Sequence, residues 1–118
     1  MTGQSFSRNY RLTNAADYQY VFTDARRFGY PNFTLLVRAN SLGYPRLGLA
    51  IAKKSVKLAV NRNRIKRLIR ESFRHEISDL PSIDIIAMCR TSAVELPSSE
   101  ISTQLETQWR YIRKKLQG

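Results

Sequence analysis

Lys53-Lys54-Ser55-Val56-Lys57-Leu58-Ala59-Val60-Asn61-Arg62-Asn63-Arg64-Ile65-Lys66-Arg67-Leu68-Ile69-Arg70-Glu71-Ser72-Phe73-Arg74 holds nine Lys or Arg against a single acid, Glu71. Its net +8 is most of the formal +11 of the 118-residue chain, which implies a partner of dense negative charge. On a helix of about 3.6 residues per turn, Asn61 to Phe73 separates into two faces. Ile65, Leu68, Ile69 and Phe73 recur at the spacing of a stripe packed on a core, while Arg62, Lys66, Arg70 and Arg74 recur every fourth residue along a neighbouring arc, with Arg67 beside them.

A solvated cationic face is the plain reading of such a run, but two details oppose it. Cations four apart on a helix repel one another, and only Glu71 is near enough to relieve this row. Arg62 and Arg64 lie close to the expected helix start, where the macrodipole disfavours cations by about 0.3 to 1 kcal/mol. A helix N-terminus with free N–H groups and crowded arginines receives phosphate well. The arrangement costs stability in the free protein and recovers it on anion binding.

The segment Ala59 to Phe73, preceded by Lys53-Lys54, resembles the Arg-Asn-Arg signature of the bacterial ribonuclease P protein subunit, here Arg62-Asn63-Arg64-Ile65-Lys66-Arg67. The resemblance runs from about Arg8 to the C-terminal helix. It implies an α+β fold, a single two-layer domain in the order α-β-β-β-α-β-α, with a four-stranded sheet and a split β-α-β crossover like that of the second domain of ribosomal protein S5. Crossovers between parallel strands are almost always right-handed, whereas proteins of this family are known for a left-handed one.

Composition narrows the classes independently. A hydrophobic content of 42% argues against disorder, and a sequence pI near 10.4 points to nucleic acid or an anionic membrane surface. No apolar run approaches the length of a membrane span, and the N-terminus lacks the apolar core of a signal peptide. Cys89 is the only cysteine and His75 the only histidine, so neither an intrachain disulfide nor a Cys/His zinc site can form. A reducing, cytoplasmic location fits these facts.

Along the chain, Met1 to Ser7 is read as a flexible tail and residues 8–118 as one RNA-binding domain. Thr13 or Asn14 caps a helix reaching Thr23, with Asp17 in its first turn. Arg26 to Pro31 predicts a short strand ending in a turn, and Phe33 to Ala39 a longer alternating strand. Asn40 to Pro45 carries the residues of a hairpin loop, which makes Leu47 to Ala52 the expected partner strand. The small Gly48, Ala50 and Ala52 share one face of that strand and permit close approach of a helix or a polynucleotide backbone. The basic helix follows and ends between Glu76 and Leu80, before Pro81, with His75 as a surface residue near its C-terminus. Ile83 to Cys89 is an apolar run expected to be covered on both faces. Strand, helix and strand predict a parallel crossover. Pro97-Ser98-Ser99-Glu100 opens a last helix with a serine cap, whose stripe Ile101, Leu105, Trp109, Ile112 and Leu116 faces the core. Arg110, Arg113, Lys114 and Lys115 extend the basic surface.

A protein nuclease needs carboxylates gathered on metal ions or an acid and a base across a phosphodiester. The nine acids here are scattered, with neither metal-ligand spacing nor a phosphate loop, so the chain is not expected to be the catalyst itself, and no metal site of its own is expected. The resemblance implies the same division of labour. The RNA subunit performs Mg2+-dependent hydrolysis, the ion being held mainly by that RNA and the substrate, and the small basic protein, a monomer present once per RNA, holds the catalytic RNA and the 5′ leader of precursor tRNA. Carried onto this sequence, Arg62, Asn63, Arg64, Lys66, Arg67 and Arg70 face RNA, with Lys53 and Lys54 at the entrance to the helix. Tyr18, Phe22, Phe33 and Leu36 fall on or near the leader cleft, where stacking of a base on an aromatic ring contributes roughly 1 to 3 kcal/mol whatever the sequence. Leu36 departs from an aromatic present at that position in some relatives, and Ser55-Val56-Lys57-Leu58 departs by one extra residue. A ribosomal protein of similar fold and an independent protein ribonuclease are the alternative readings, separated by association with ribosomal particles and by cleavage without an RNA subunit.

Overall fold

The computed structural model describes residues 8–29 and 31–117, so the expected tail at Met1 to Ser7 lies outside the described residues. Asn14 caps the first helix, α1 (Ala15–Thr23), its Oδ1 accepting a hydrogen bond from the Asp17 N–H at 2.9 Å. Strands β1 (Arg26–Gly29), β2 (Phe33–Ala39), β3 (Arg46–Leu49) and β4 (Ile83–Cys89) follow in the sequence order expected, with α2 (Ala59–Arg74) between β3 and β4 and α3 (Ser98–Gln117) at the end. β1 stops at Gly29 rather than Pro31, and Tyr30 lies outside the described residues.

The sheet order is β1-β2-β4-β3. β3 and β4 run parallel, from Arg46 opposite Asp84 to Leu49 opposite Ala87, so the β3-α2-β4 crossover forms as expected. The expected β2/β3 hairpin does not. β4 lies between those strands and pairs with β2 antiparallel, from Phe33 opposite Cys89 to Ala39 opposite Ile83. The physical reason is in β4, whose residues are almost all buried: a strand covered on both faces must also pair both edges, since water cannot reach its backbone. The Asn40 to Pro45 loop instead passes over the start of β4. Asn40 N–H donates to the Ser82 carbonyl at 3.0 Å, and Gly43 N–H to Ser82 Oγ at 3.0 Å. Gly43 has φ +90°, a conformation a side chain would strain. β3 ends three residues before the expected Ala52, although Ala50 N–H still reaches the Ala87 carbonyl at 2.9 Å.

One face of the sheet carries the main core. Phe33, Leu35, Val37, Leu47, Ile83 and Ile85 meet Ile65, Ile69 and Phe73 of α2 and Ile101, Leu105, Trp109 and Ile112 of α3. Trp109 is fully buried, packs edge-on to Phe73 with centroids 5.9 Å apart, and donates its indole N–H to Ser72 Oγ at 2.7 Å, so the polar atom of a large apolar side chain is satisfied. The other face holds a smaller cluster, Leu12, Val21 and Ile86, with Tyr18, Leu36, Ala50 and Met88 half-buried around it. Phe22 on α1 is 48% exposed.

A polar network ties the two ends together. Asp84 is fully buried and receives both Nε (2.9 Å) and Nη2 (2.8 Å) of Arg46, while Asn40 Nδ2 donates to its Oδ1 at 2.7 Å. Arg46 Nη1 also reaches Asp17 on α1 at 3.3 Å. The Asp84 carboxylate raises the Arg46 pKa further above its ordinary value, and the fork geometry lets one guanidinium hold two carboxylates.

Candidate nucleic-acid interface

The stripe Ile65, Leu68, Ile69 and Phe73 is buried as its spacing predicts, and this fixes the rotation of α2. Asn63, Arg67 and Arg70 are consequently exposed and Lys66 is half-buried. The helix begins at Ala59, with Leu58 in the N-cap position, no side-chain cap and no acid in the first turn. Its first N–H groups therefore lack the internal partners that a Ser or Asp would supply.

The two signature arginines behave differently from their neighbours. Arg62 Nη1 donates to the carbonyls of Val56 and Lys57, each at 2.9 Å, and so braces the loop that enters the helix. Arg64 turns toward the segment before α3, donating to the carbonyls of Val94 (3.0 Å) and Leu96 (3.3 Å) and to Ser98 Oγ (3.1 Å). Ser98, read as a helix cap, is thus an acceptor for Arg64. Both arginines retain an uncompensated charge, because their partners are neutral, but their donors are committed to the fold. Lys53, Lys54, Lys66, Arg67 and Arg70 have no ion pair among the described residues. Lys53 and Lys54 are exposed on the turn before the helix, where Val56 is buried beneath them as an anchor.

Lys66 and Arg70 share a cleft of about 230 Å³ with Arg11, Leu12, Tyr18, Leu47 and Leu49, between α1, β3 and α2. Tyr18 is held there by the β3 edge: its hydroxyl accepts from Leu49 N–H at 3.1 Å and donates to the Leu49 carbonyl at 3.4 Å. Gly48 makes this possible, since a Cβ would come within 2.9 Å of the Tyr18 ring and hydroxyl. The small-residue face of β3 thus accommodates α1. Phe22 stands one helical turn beyond Tyr18, and Leu36 is half-buried on the same side of the sheet. Phe33 is not: it is fully buried in the main core on the opposite face, because residues of β2 alternate and Phe33 falls in phase with Leu35 and Val37. It belongs to the core and not to the cleft.

Arg11 enters the cleft without having been singled out, brought there by an isolated bridge to Leu47 that no sequence period reports. Leu58 and Val60, 62% and 70% exposed, likewise add apolar surface at the helix entrance. Arg113 leaves the basic surface, paired with Glu76 and lying 3.8 Å from Asp79. Among the described residues no three His, Cys, Asp or Glu side chains gather as metal ligands, and the Asp17 and Asp84 carboxylates are bridged by Arg46, so this donor set does not fit a magnesium ion. Among the described residues no helix is long and apolar enough to cross a membrane.

A family model described as Ribonuclease P matches residues 6–113. The chain belongs to the ribonuclease P protein family. It is 44% identical to the ribonuclease P protein component of Aliivibrio fischeri over 113 residues, covering 96% of this chain and 97% of that one, and 46% identical to that of Cronobacter sakazakii over 110 residues, covering 93% and 92%. Its fold is similar to the RNase P protein of Staphylococcus aureus, at a TM-score of 0.81 and 31% identity over 86% of this chain and 94% of the other. The RNase P protein of Thermotoga maritima gives 0.77 and 26% over 86% and 96%. Ribonuclease P relatives therefore share this chain's fold nearly end to end.

Proposed function

We propose that this chain is the protein subunit of ribonuclease P, which binds the catalytic RNA and the 5′ leader of precursor tRNA during endonucleolytic removal of the leader. The observation that carries the reading is the meeting of Tyr18 with Lys66 and Arg70 in one cleft beside the signature helix. An aromatic face and two cations are what a single strand needs, stacking for the base and charge for the phosphates. Phe22 and Leu36 continue the apolar surface, and Asn63, Arg67, Lys53 and Lys54 extend the cationic one toward the RNA subunit. Arg62 and Arg64 act chiefly by holding the helix entrance and the segment before α3, adding positive potential from there. Hydrolysis belongs to the RNA, with Mg2+ held by RNA and substrate; the protein binds as a monomer, one per RNA, in the cytoplasm.

The test is cleavage of a 5′-extended precursor tRNA at low magnesium by a matched ribonuclease P RNA, with and without the protein. Stimulation at the mature 5′ junction, lost on Lys66→Ala with Arg70→Ala and absent with protein alone, is the expected result. No stimulation by folded protein removes the reading and favours a structural role on another RNA.

A further inference from the structure

β1 and β3 form opposite edges of the sheet, so the cleft beside β3 leaves the β1 edge unaccounted for. There β1 and α3 enclose a second recess of about 370 Å³, within the range of about 300 to 1,000 Å³ usual for ligand sites. Among the described residues its lining carries three cations, Arg26, Arg27 and Lys115, and no carboxylate, and none of the three has an ion pair there.

The aromatic geometry is equally specific. Tyr111 is 51% exposed, yet its ring is held edge-on to Phe28 with centroids 5.9 Å apart, and Lys115 Nζ lies 5.5 Å from its centroid. Arg26 lies 5.3 Å from the Phe28 centroid. At the base of the recess Gln108 is 3% exposed. Its Nε2 donates to the Phe28 carbonyl at 3.4 Å, a long bond that leaves the amide loosely held, and its Oε1 has no partner among the described residues. A buried amide oxygen without a donor is a desolvation penalty that a ligand N–H relieves.

We propose that this recess is a second subsite for single-stranded RNA, in which a base stacks on Tyr111 and donates an amino N–H to Gln108 Oε1, while the flanking phosphates lie against Arg26, Arg27 and Lys115. Cations set around an exposed ring suit a polynucleotide strand. An acidic peptide satisfies the cations and can donate a backbone N–H to the amide, but it leaves the ring without a flat partner to stack on it.

The test is titration of the full chain carrying Arg11→Ala, Lys66→Ala and Arg70→Ala, which removes the three cations lining the cleft, with a 2-aminopurine-labelled oligoribonucleotide of five residues. Stacking quenches the label, so quenching persists in this background, and adding Tyr111→Ala weakens binding about fivefold or more. Tyr111→Phe retains binding, and Gln108→Leu weakens it with the circular dichroism unchanged. Binding indifferent to Tyr111→Ala, equal competition by pentaglutamate, or equal affinity for adenosine monophosphate alone each overturns the proposal. Tyr111-dependent binding alongside a failed cleavage assay removes only the ribonuclease P reading.

Discussion

Cys89 ends β4 inside the main core, and burial pushes its thiol from an ordinary 9.0 up to about 11. Burial disfavours the thiolate, so the folded state holds the proton more tightly than the unfolded chain does. The resulting stabilisation is fully present below about pH 9 and is lost as pH rises through 11. The stability difference between the native chain and Cys89→Ala is therefore expected to shrink from pH 8 to pH 11 in urea titrations; a constant difference across that range contradicts the burial argument. The same protonation makes the thiol a poor nucleophile. Tyr18 and Phe33 show how differently single aromatics are used within one sheet. Tyr18 is anchored by its hydroxyl to the Leu49 backbone with its ring beside the cleft, whereas Phe33 contributes only packing.

The helix α2 depends for its own placement on side chains whose pattern in the sequence marks them as ligands for RNA. Arg64 joins α2 to Val94, Leu96 and Ser98 through three acceptors, so it bridges the signature helix and the turn before α3. Arg64→Ala is expected to cost about 1.5 to 3 kcal/mol, the range for hydrogen bonds from a charged group, and to speed amide exchange between Thr91 and Leu96. A thermal melt and exchange pattern matching the native protein contradicts this bridging role. The helix itself was legible because the stripe Ile65, Leu68, Ile69 and Phe73 reports its buried side directly. Which arginine turns inward was not, since that depends on carbonyls 30 or more residues later in the chain. The same limit explains the missing hairpin. Asn40 to Pro45 reports a reversal of direction, but the neighbour of β3 is decided by the need of β4 for partners on both edges. Phe33 was misplaced because alternation separates the two faces of a strand without saying which one meets the larger core.

Over the whole molecule, charge and fold divide into groups that salt should distinguish. Neutralising about five phosphates gives a slope of log affinity against log salt near −3.5 to −4.5, as ions are released from RNA. Lys66 and Arg70 are the cations that α2 brings to the cleft, beside Arg11, so replacing both by Ala is expected to make the slope shallower by about 1.4 to 1.8, counting about 0.7 to 0.9 for each phosphate lost. Neither residue forms an ion pair among the described residues, so the melting temperature should hold or rise slightly as repulsion along the helix falls. Arg64→Ala should do the reverse, lowering the melting temperature while shifting the slope by less than about 0.5, because its donors are spent on carbonyls rather than phosphates. Affinity for the RNA subunit measured between 50 and 400 mM salt on all three proteins, below their melting temperatures, separates the two roles. Equal slope changes for Arg64→Ala and for the Lys66, Arg70 pair contradict the division, and mean that Arg64 leaves its carbonyl partners to meet a phosphate when RNA binds.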